Sequence, residues 1–427
     1  MRQATRAGYD LGSVRAICLA VFVACTANPR HVDAPDESGV ERHYTIWFGG
    51  ARIGTAVERE ARSATGLVLV RDETMKFRRG DATIEIETTI EIETDPALAP
   101  TRVSWTERGP ITRRAQATRD ARGWEISGFG SDEHAHLDRS AIPAELVPLL
   151  TRRDGHFAGR VFLPARGFVV GAGRVEPVAP GRLVARLALE GGALAEATID
   201  VEPDGTYDRV VDGEGVIAIR ATAAEAALAF EPVDLIAATA IPIAGARGAL
   251  LVIDGDVALP AVPGQAVRPH PDGQGGVALE LSPRLPGALG RPPGPAARDR
   301  SRDIIAIVAQ VQSRIAPDLA TGPVSTRDAG AATAGDCTTF ALAYAALATR
   351  HHIRTRVVTG LRVDGDRLVR HRWAVSWTGR AWIAVDAAYG SVPAGGDLIG
   401  LAIHDADDAG LVAGEAALTL VHSASWR

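Results

Sequence analysis

Residues Ala82 to Thr94 constrain the fold more than any other stretch of the chain. Ile84, Ile86, Ile90 and Ile92 alternate with Glu85, Glu87, Glu91 and Glu93. A period of two with one charged side predicts a strand whose apolar face is covered and whose other face is wet, which is the habit of antiparallel sheets. The residues around it repeat the theme. Tyr44, Ile46 and Phe48 alternate before Gly49-Gly50, and a strand resumes at Ile53 to Val57. Further strands are expected near 160–163, 182–189, 195–201, 252–259 and 276–281, with the turn Pro203-Asp204-Gly205 among them. Ser140 to Arg153 reads as a short helix capped by Ser140 and interrupted by Pro148, and Ala221 to Phe230 as an alanine-rich helix. The expectation is an antiparallel β-rich domain over 42–281.

Ser282 to Arg302 breaks the pattern. Pro283, Pro286, Pro292, Pro293 and Pro295 stand among glycines and arginines with no apolar period, which predicts an extended linker over 282–302. A second domain is expected over 303–427. It opens with an amphipathic helix from Arg302 to Leu319, in which Ile304, Ile305, Ile307, Val308, Val311 and Ile315 are apolar. Thr321 to Ala334 is rich in small residues and reads as an unstructured loop able to cover a site.

The chemistry lies just beyond. Thr338 to Arg350 has helical apolar spacing, and Gly335-Asp336 mark its start, so Cys337 falls in the first turn. Backbone N–H groups and the positive end of the helix dipole favour an anion there, which raises the thiolate fraction of a cysteine. His371 to Trp377 and Ala381 to Val385 read as a hairpin. If Thr378-Gly379-Arg380 supplies a two-residue Thr-Gly turn, Trp377 faces Arg380 and His371 faces Asp386 on the same side. Asp386 then orients the imidazole while His371 serves the cysteine. Of the three cysteines, Cys18 and Cys25 lie near the amino terminus, so the globular part holds one thiol without a disulfide partner. Asp336 reads as a helix cap, and Trp373, sharing the face of His371, as a wall of the substrate cleft.

These residues carry a family resemblance. Gly335-Asp336-Cys337-Thr338-Thr339-Phe340-Ala341, then Leu347, Ile353, Arg356-Val357-Val358-Thr359-Gly360, His371-Arg372-Trp373 and Val385-Asp386 with Gly390 resemble the bacterial transglutaminase-like domains, over roughly residues 303–410. The resemblance implies a papain-like α+β domain following the β-rich one, and a catalytic triad at Cys337, His371 and Asp386, with no cofactor. Departures are visible. Arg372 stands where the family often has alanine, His352 to Arg356 replaces Gly-Ile-Pro-Ala-Arg, and Asp386-Ala387-Ala388 replaces Asp-Pro-Thr. The late Thr-His pair is represented by His404 after Ile403. The implied activity is a cysteine peptidase or amidase acting on a protein or peptide through a thioester. The alternatives are a protein-glutamine transglutaminase with an amine acceptor and a non-catalytic binding or scaffolding lipoprotein.

The amino terminus suggests export. Arg2, Arg6 and Arg15 precede nine uncharged residues, Ala16 to Ala24, a signal-peptide core too short to span a bilayer. Val23-Ala24-Cys25 resembles a bacterial lipoprotein signal, although Phe22 sits where an aliphatic residue is usual. The reading is a signal peptide at 1–24, then a tether at 25–41, with a lipid anchor at Cys25 or plain secretion to the periplasm or cell envelope. Lys76 is the only lysine among many arginines, which suits a GC-rich bacterial source. A net charge of −6 gives no support for nucleic-acid binding. The cluster from Asp132 to Asp138, with His134, His136 and Asp138 on one side of a strand, lacks further spaced ligands and reads as solvated, so no metal site is expected.

Overall fold

The computed structural model describes residues 39–128, 131–189, 194–203, 206–213, 215–255, 258–273, 275–292, 298–322 and 326–427. The expected signal peptide, Cys25 and most of the tether lie outside the described residues, as does the side chain of His134. The chain is β-rich, with strand on 51% and helix on 18% of it. Backbone contacts divide it into two units, one ending at Leu235 and the other running from Ile236 to Arg427.

In the first unit fifteen strands form one sheet. Its order runs backwards along the chain from Ser131–Leu137 to Val40–Phe48, crosses to Val216–Ala221, and runs backwards again to Ile142–Pro143. The crossing is antiparallel, His43 facing Ala221 and Phe48 facing Val216. Strand Ala82–Thr94 is as its alternation predicts: Ile84, Ile86, Ile90 and Ile92 are buried, while Glu85 and Glu87 face water. So long an antiparallel sheet twists and curls. Here its two ends meet, because Trp124 near one edge packs edge-on against Phe162 near the other, their centroids 5.1 Å apart. The Trp124 indole N–H donates to the Ala141 carbonyl at 2.8 Å. The helix expected from Ser140 spans Val147–Asp154 instead, and Pro148 helps to open it, where its missing N–H costs nothing. Ser140 bonds to Asp138 rather than capping that helix. The alanine-rich segment forms one turn, Ala223–Ala226, closed by a Thr222–Glu225 capping box.

The second unit is built on a nine-stranded sheet. Strands Leu251–Gly255 and Val277–Leu281, expected near 252–259 and 276–281 within the first β-rich domain, belong here, together with Gln265–Pro269. The C-terminal strand Val421–Trp426 supplies the edge they need, with Leu251 facing Trp426. Leu251, Ile253 and Leu279 share one apolar cluster with Leu361, Leu368, Ile399 and Val421. In the stretch expected as an extended linker, Ala288 N–H donates to Ala261 O at 2.9 Å, Gly264 N–H to Leu285 O at 3.0 Å, and Arg300 N–H to Thr378 O at 2.7 Å, so its described residues are bonded to the second unit.

Helix Ser301–Arg314 packs its Ile304, Ile307, Val308 and Val311 against Phe340, Ala343, Tyr344 and Leu347 of helix Cys337–Arg350. It stops before Pro317 because the chain turns extended there and Ala316 pairs with Ala334. The loop expected over 321–334 contains a helix, Thr326–Ala331, whose Ala329 is buried with Leu342, Ala345 and Val357.

Two sites in this architecture make testable demands. Gly360 lies directly across from His371. A Cβ there would sit 1.9 Å from the Ile399 carbonyl oxygen and 3.0 Å from the Trp373 ring. Gly360→Ala should therefore destabilise the chain by about 3 kcal/mol, read as a lower denaturant midpoint by tryptophan fluorescence; an unchanged midpoint would contradict the close strand spacing. In the first unit Arg42 pairs with Glu60 at 2.8 Å and Glu58 at 3.3 Å, all three buried. Burial pushes the Glu58 carboxyl up to about 7, against the pull of Arg71 and Arg42. Its folded value lies above the ordinary 4.5, so the stability it supplies is whole below about pH 4.5 and is lost as pH rises through about 7. That loss amounts to about 3 kcal/mol. Glu58→Gln should flatten this part of the stability profile between about pH 5 and about pH 8.

Candidate active site

Helix Cys337–Arg350 starts where it does because Asp336 caps it. The Asp336 carboxylate accepts the Thr338 N–H at 3.1 Å and the Thr339 N–H at 3.2 Å. Gly335 leaves room for that turn, since a Cβ there would meet Thr339 Oγ1 at 2.1 Å. Cys337 is thus the first helical residue, 1% exposed, with the positive end of the helix around it. Nearly every residue from Cys337 to Ala348 is buried, and Ala341, Ala343, Ala345 and Ala348 let neighbouring elements approach closely.

His371 comes from strand Arg367–Trp377 and is fully buried. The hairpin that follows differs from expectation. Trp377 faces Trp382, not Arg380, across a four-residue connection. Thr378 closes it, donating its N–H to Ala381 O at 2.9 Å and accepting the Ala381 N–H on its hydroxyl at 3.1 Å. The ladder ends with Ala374 facing Val385, which puts the next position, Asp386, level with Trp373 rather than with His371. A shift of two residues leaves every side chain on its original face. Asp386 therefore still shares a face with His371 and reaches it diagonally, His371 Nε2 to Asp386 Oδ2 at 2.8 Å.

The carboxylate is itself fixed. Its other oxygen accepts the Ala388 N–H at 3.2 Å and the Tyr389 N–H at 3.4 Å. The Asp386 backbone exchanges hydrogen bonds with Ser391 at 3.1 and 3.0 Å. An ionised carboxylate only accepts, so Nε2 is the nitrogen that donates to Asp386, and Nδ1 is the ring nitrogen left over. Nδ1 is buried and has no hydrogen-bond partner among the described residues, and so no hydrogen bond joins it to the thiol. The ring is backed by Trp373, with centroids 6.0 Å apart and nearly parallel, and by the edge of Tyr389 at 5.6 Å. Trp373 is buried to 1% among Val262, Val358, Val375 and Ala384. Expected as a wall of the cleft, Trp373 thus lies in the core behind the imidazole, its ring close against Gly360.

Cys337 and His371 are carried by elements pinned together one residue further on. Arg372 Nη1 donates to Thr338 Oγ1 at 3.1 Å. This is the part that sequence reasoning missed. Arg372 is 1% exposed; its Nε donates to Thr359 Oγ1 at 2.9 Å, and its Nη2 pairs with Glu415 of helix Asp408–Ala417. Thr359 Oγ1 lies 3.0 Å from His404 Nε2, and His404 Nδ1 lies 2.9 Å from Asp405 O. Burial, helped by Arg372, holds the His404 pKa down at about 3, so that ring is neutral. The available signal was Arg372 itself, a charge flanked by His371 and the apolar run Trp373 to Val375, which, once buried, requires a carboxylate from elsewhere in the chain.

Among the described residues no group of three or more histidine, cysteine or carboxylate side chains is arranged to hold a metal ion. A comparison with curated proteins returns no match. Among solved structures, a beta-barrel-like protein of a domain of unknown function, DUF1849, from Brucella abortus is similar at 9% identity and a TM-score of 0.33, over 43% of this chain and 95% of its own; so low a score carries no argument. Cys337, His371 and Asp386 all fall within residues 295–387, which match the profile of the transglutaminase-like superfamily, and the chain therefore carries a transglutaminase-like superfamily domain.

Proposed function

We propose that this chain is a thiol acyl-transfer enzyme, a cysteine peptidase or amidase of papain-like architecture acting on a protein or peptide. One observation carries the reading: His371 is tied through Nε2 to Asp386 at 2.8 Å, while its Nδ1 stays buried and unpartnered on an element pinned to the Cys337 helix. A base needs that arrangement, with one nitrogen oriented and the other available. In the proposed reaction Nδ1 takes the proton from the Cys337 thiol, and the sulfur attacks the substrate carbonyl. The tetrahedral oxyanion is met by the Cys337 backbone N–H at the helix start. As the C–N bond breaks, the imidazolium returns its proton to the departing amine, leaving a thioester on Cys337. Water, activated by the same imidazole, then releases the acid and regenerates the thiol. An amine in place of water would give the transglutaminase outcome from the same thioester.

The export reading is carried forward on the amino-terminal pattern. The mature enzyme would begin at Cys25 and be held at the cell envelope by a lipid on that residue. Fatty-acid labelling in a bacterial host should mark the chain and be lost in Cys25→Ser; labelling that persists in the variant, or is absent from the wild type, removes the anchor.

The chemistry is tested on a peptide panel with and without a small primary amine, read by mass. Hydrolysis adds water across the cleaved bond, whereas transfer adds the amine. Cys337→Ala should abolish both products. Asp386→Asn, which keeps the shape and loses the charge, should lower kcat by about a hundredfold to ten-thousandfold. Turnover that survives Cys337→Ala would refute Cys337 as the nucleophile, and no product from the wild type would leave the binding or scaffolding alternative.

A further inference from the structure

We propose that Arg372 is a positioning residue that sets the charge around the Cys337 thiol, with Glu415 as its holder and counterweight. The inference rests on the reading of Cys337 as a nucleophile. It starts from a conflict at the head of the Cys337 helix. The cap that begins the helix is a carboxylate, Asp336, only 2% exposed and one residue from the sulfur. It takes up the N–H groups of Thr338 and Thr339, two of the donors that would otherwise favour an anion there. A buried negative charge so close opposes ionisation of the thiol.

The guanidinium of Arg372 answers that charge. It is held at three points: Nε on Thr359 at 2.9 Å, Nη1 on Thr338 at 3.1 Å, and Nη2 on Glu415. Thr338 is the residue next to Cys337, so this permanent cation is fixed against the same helical turn as the sulfur. At 1% exposure, water screens it weakly. Strand alternation sends Arg372 to the face opposite His371 and Trp373, leaving the imidazole and its Asp386 bond undisturbed.

The charged and titratable groups brought to this region include Asp336 from the helix and Asp318, whose N–H donates to Gly335 O. They also include His371 and Arg372 from their strand, Arg356 from strand Thr355–Asp364, which acts on His404, and Asp386 beyond His371. Strand Leu398–His404 adds His404, and helix Asp408–Ala417 adds Glu415. His404 is neutral, in part because of Arg372, so the charges tied to the turn by hydrogen bonds are the cap, the guanidinium and, through it, Glu415. Arginine and glutamate then act on the thiol with opposite signs. A pair that merely filled space would not.

The test is the pH titration of the thiolate absorbance of the full chain, with the spectrum of Cys337→Ser subtracted so that only Cys337 is read. Glu415→Gln removes the carboxylate paired with Arg372 and should lower the Cys337 pKa by about one unit. Adding Arg372→Met to that variant should raise it again by about one unit or more, and Arg372→Lys should stay near the wild type. The double variant removes both buried charges together and so avoids stranding one of them. Shifts of these signs support the proposal; no shift, or shifts of the opposite sign, overturn it. The nucleophile reading fails separately, if wild-type Cys337 titrates no lower than an ordinary thiol at about 8.5.

Discussion

A β-strand repeats every two residues, and the bond between His371 and Asp386 depends on that repeat. The two residues are not directly opposite, since the connection is closed by Thr378 two residues longer than the tightest hairpin. Moving a partner by two positions along a strand keeps it on the same face and turns a direct neighbour into a diagonal one, still within reach of an imidazole. Moving it by one would have sent Asp386 to the opposite face and left His371 without an orienting group. The loop is therefore free to vary in steps of two and fixed against steps of one. Asp386 gains further definition from its own turn, where two backbone N–H groups hold the carboxylate and Ser391 holds the backbone.

Burial makes these contacts consequential. Cys337, Asp336, His371, Arg372, Asp386 and Glu415 are all no more than 3% exposed. A charge so enclosed is tolerated only with a partner. Asp386 has His371, Arg372 has Glu415, and Asp336 has the helix amides. The first unit uses the same device inside its curled sheet, where Arg42 holds Glu58 and Glu60. At the candidate site the pairings also fix orientation. Arg372, bonded to Thr338, Thr359 and Glu415 on three other elements, ties the head of the Cys337 helix to the His371 strand.

What could be read from the sequence was local. The alternation of Ala82 to Thr94 shows its fold because each residue reports its own burial. The start of the Cys337 helix was legible from Gly335-Asp336, since a cap acts within three residues. The face shared by His371 and Asp386 was legible although the register was not; Thr-Gly specifies a turn length poorly, and parity tolerated the error. Distant pairings left no local trace. Strands Leu251–Gly255 and Val277–Leu281 look like the end of the preceding β-rich run, yet they join the second unit's sheet through Val421–Trp426. Glu415 sits in an alanine-rich helix, and nothing nearby marks it as the partner of Arg372.

Those two distant pairings involve the same stretch of chain, and that explains where the second unit begins. Helix Asp408–Ala417 reaches the candidate site through Glu415. The strand that follows within a few residues, Val421–Trp426, zips to Leu251–Gly255 and runs parallel to Ile241–Ala244. Ile241–Ala244 in turn pairs with the His371 strand at Leu368. The carboxyl-terminal segment thus closes a circuit from the site through the early strands and back to the site. A boundary drawn at the proline-rich stretch would cut that circuit and strip Val421–Trp426 of its partners, exposing the apolar face formed by Leu251, Ile253, Leu279 and Val421. The strands before the proline-rich stretch are therefore part of the body that holds the Cys337 helix and the His371 strand in register, and the functional unit is larger than the segment that carries the recognisable motifs.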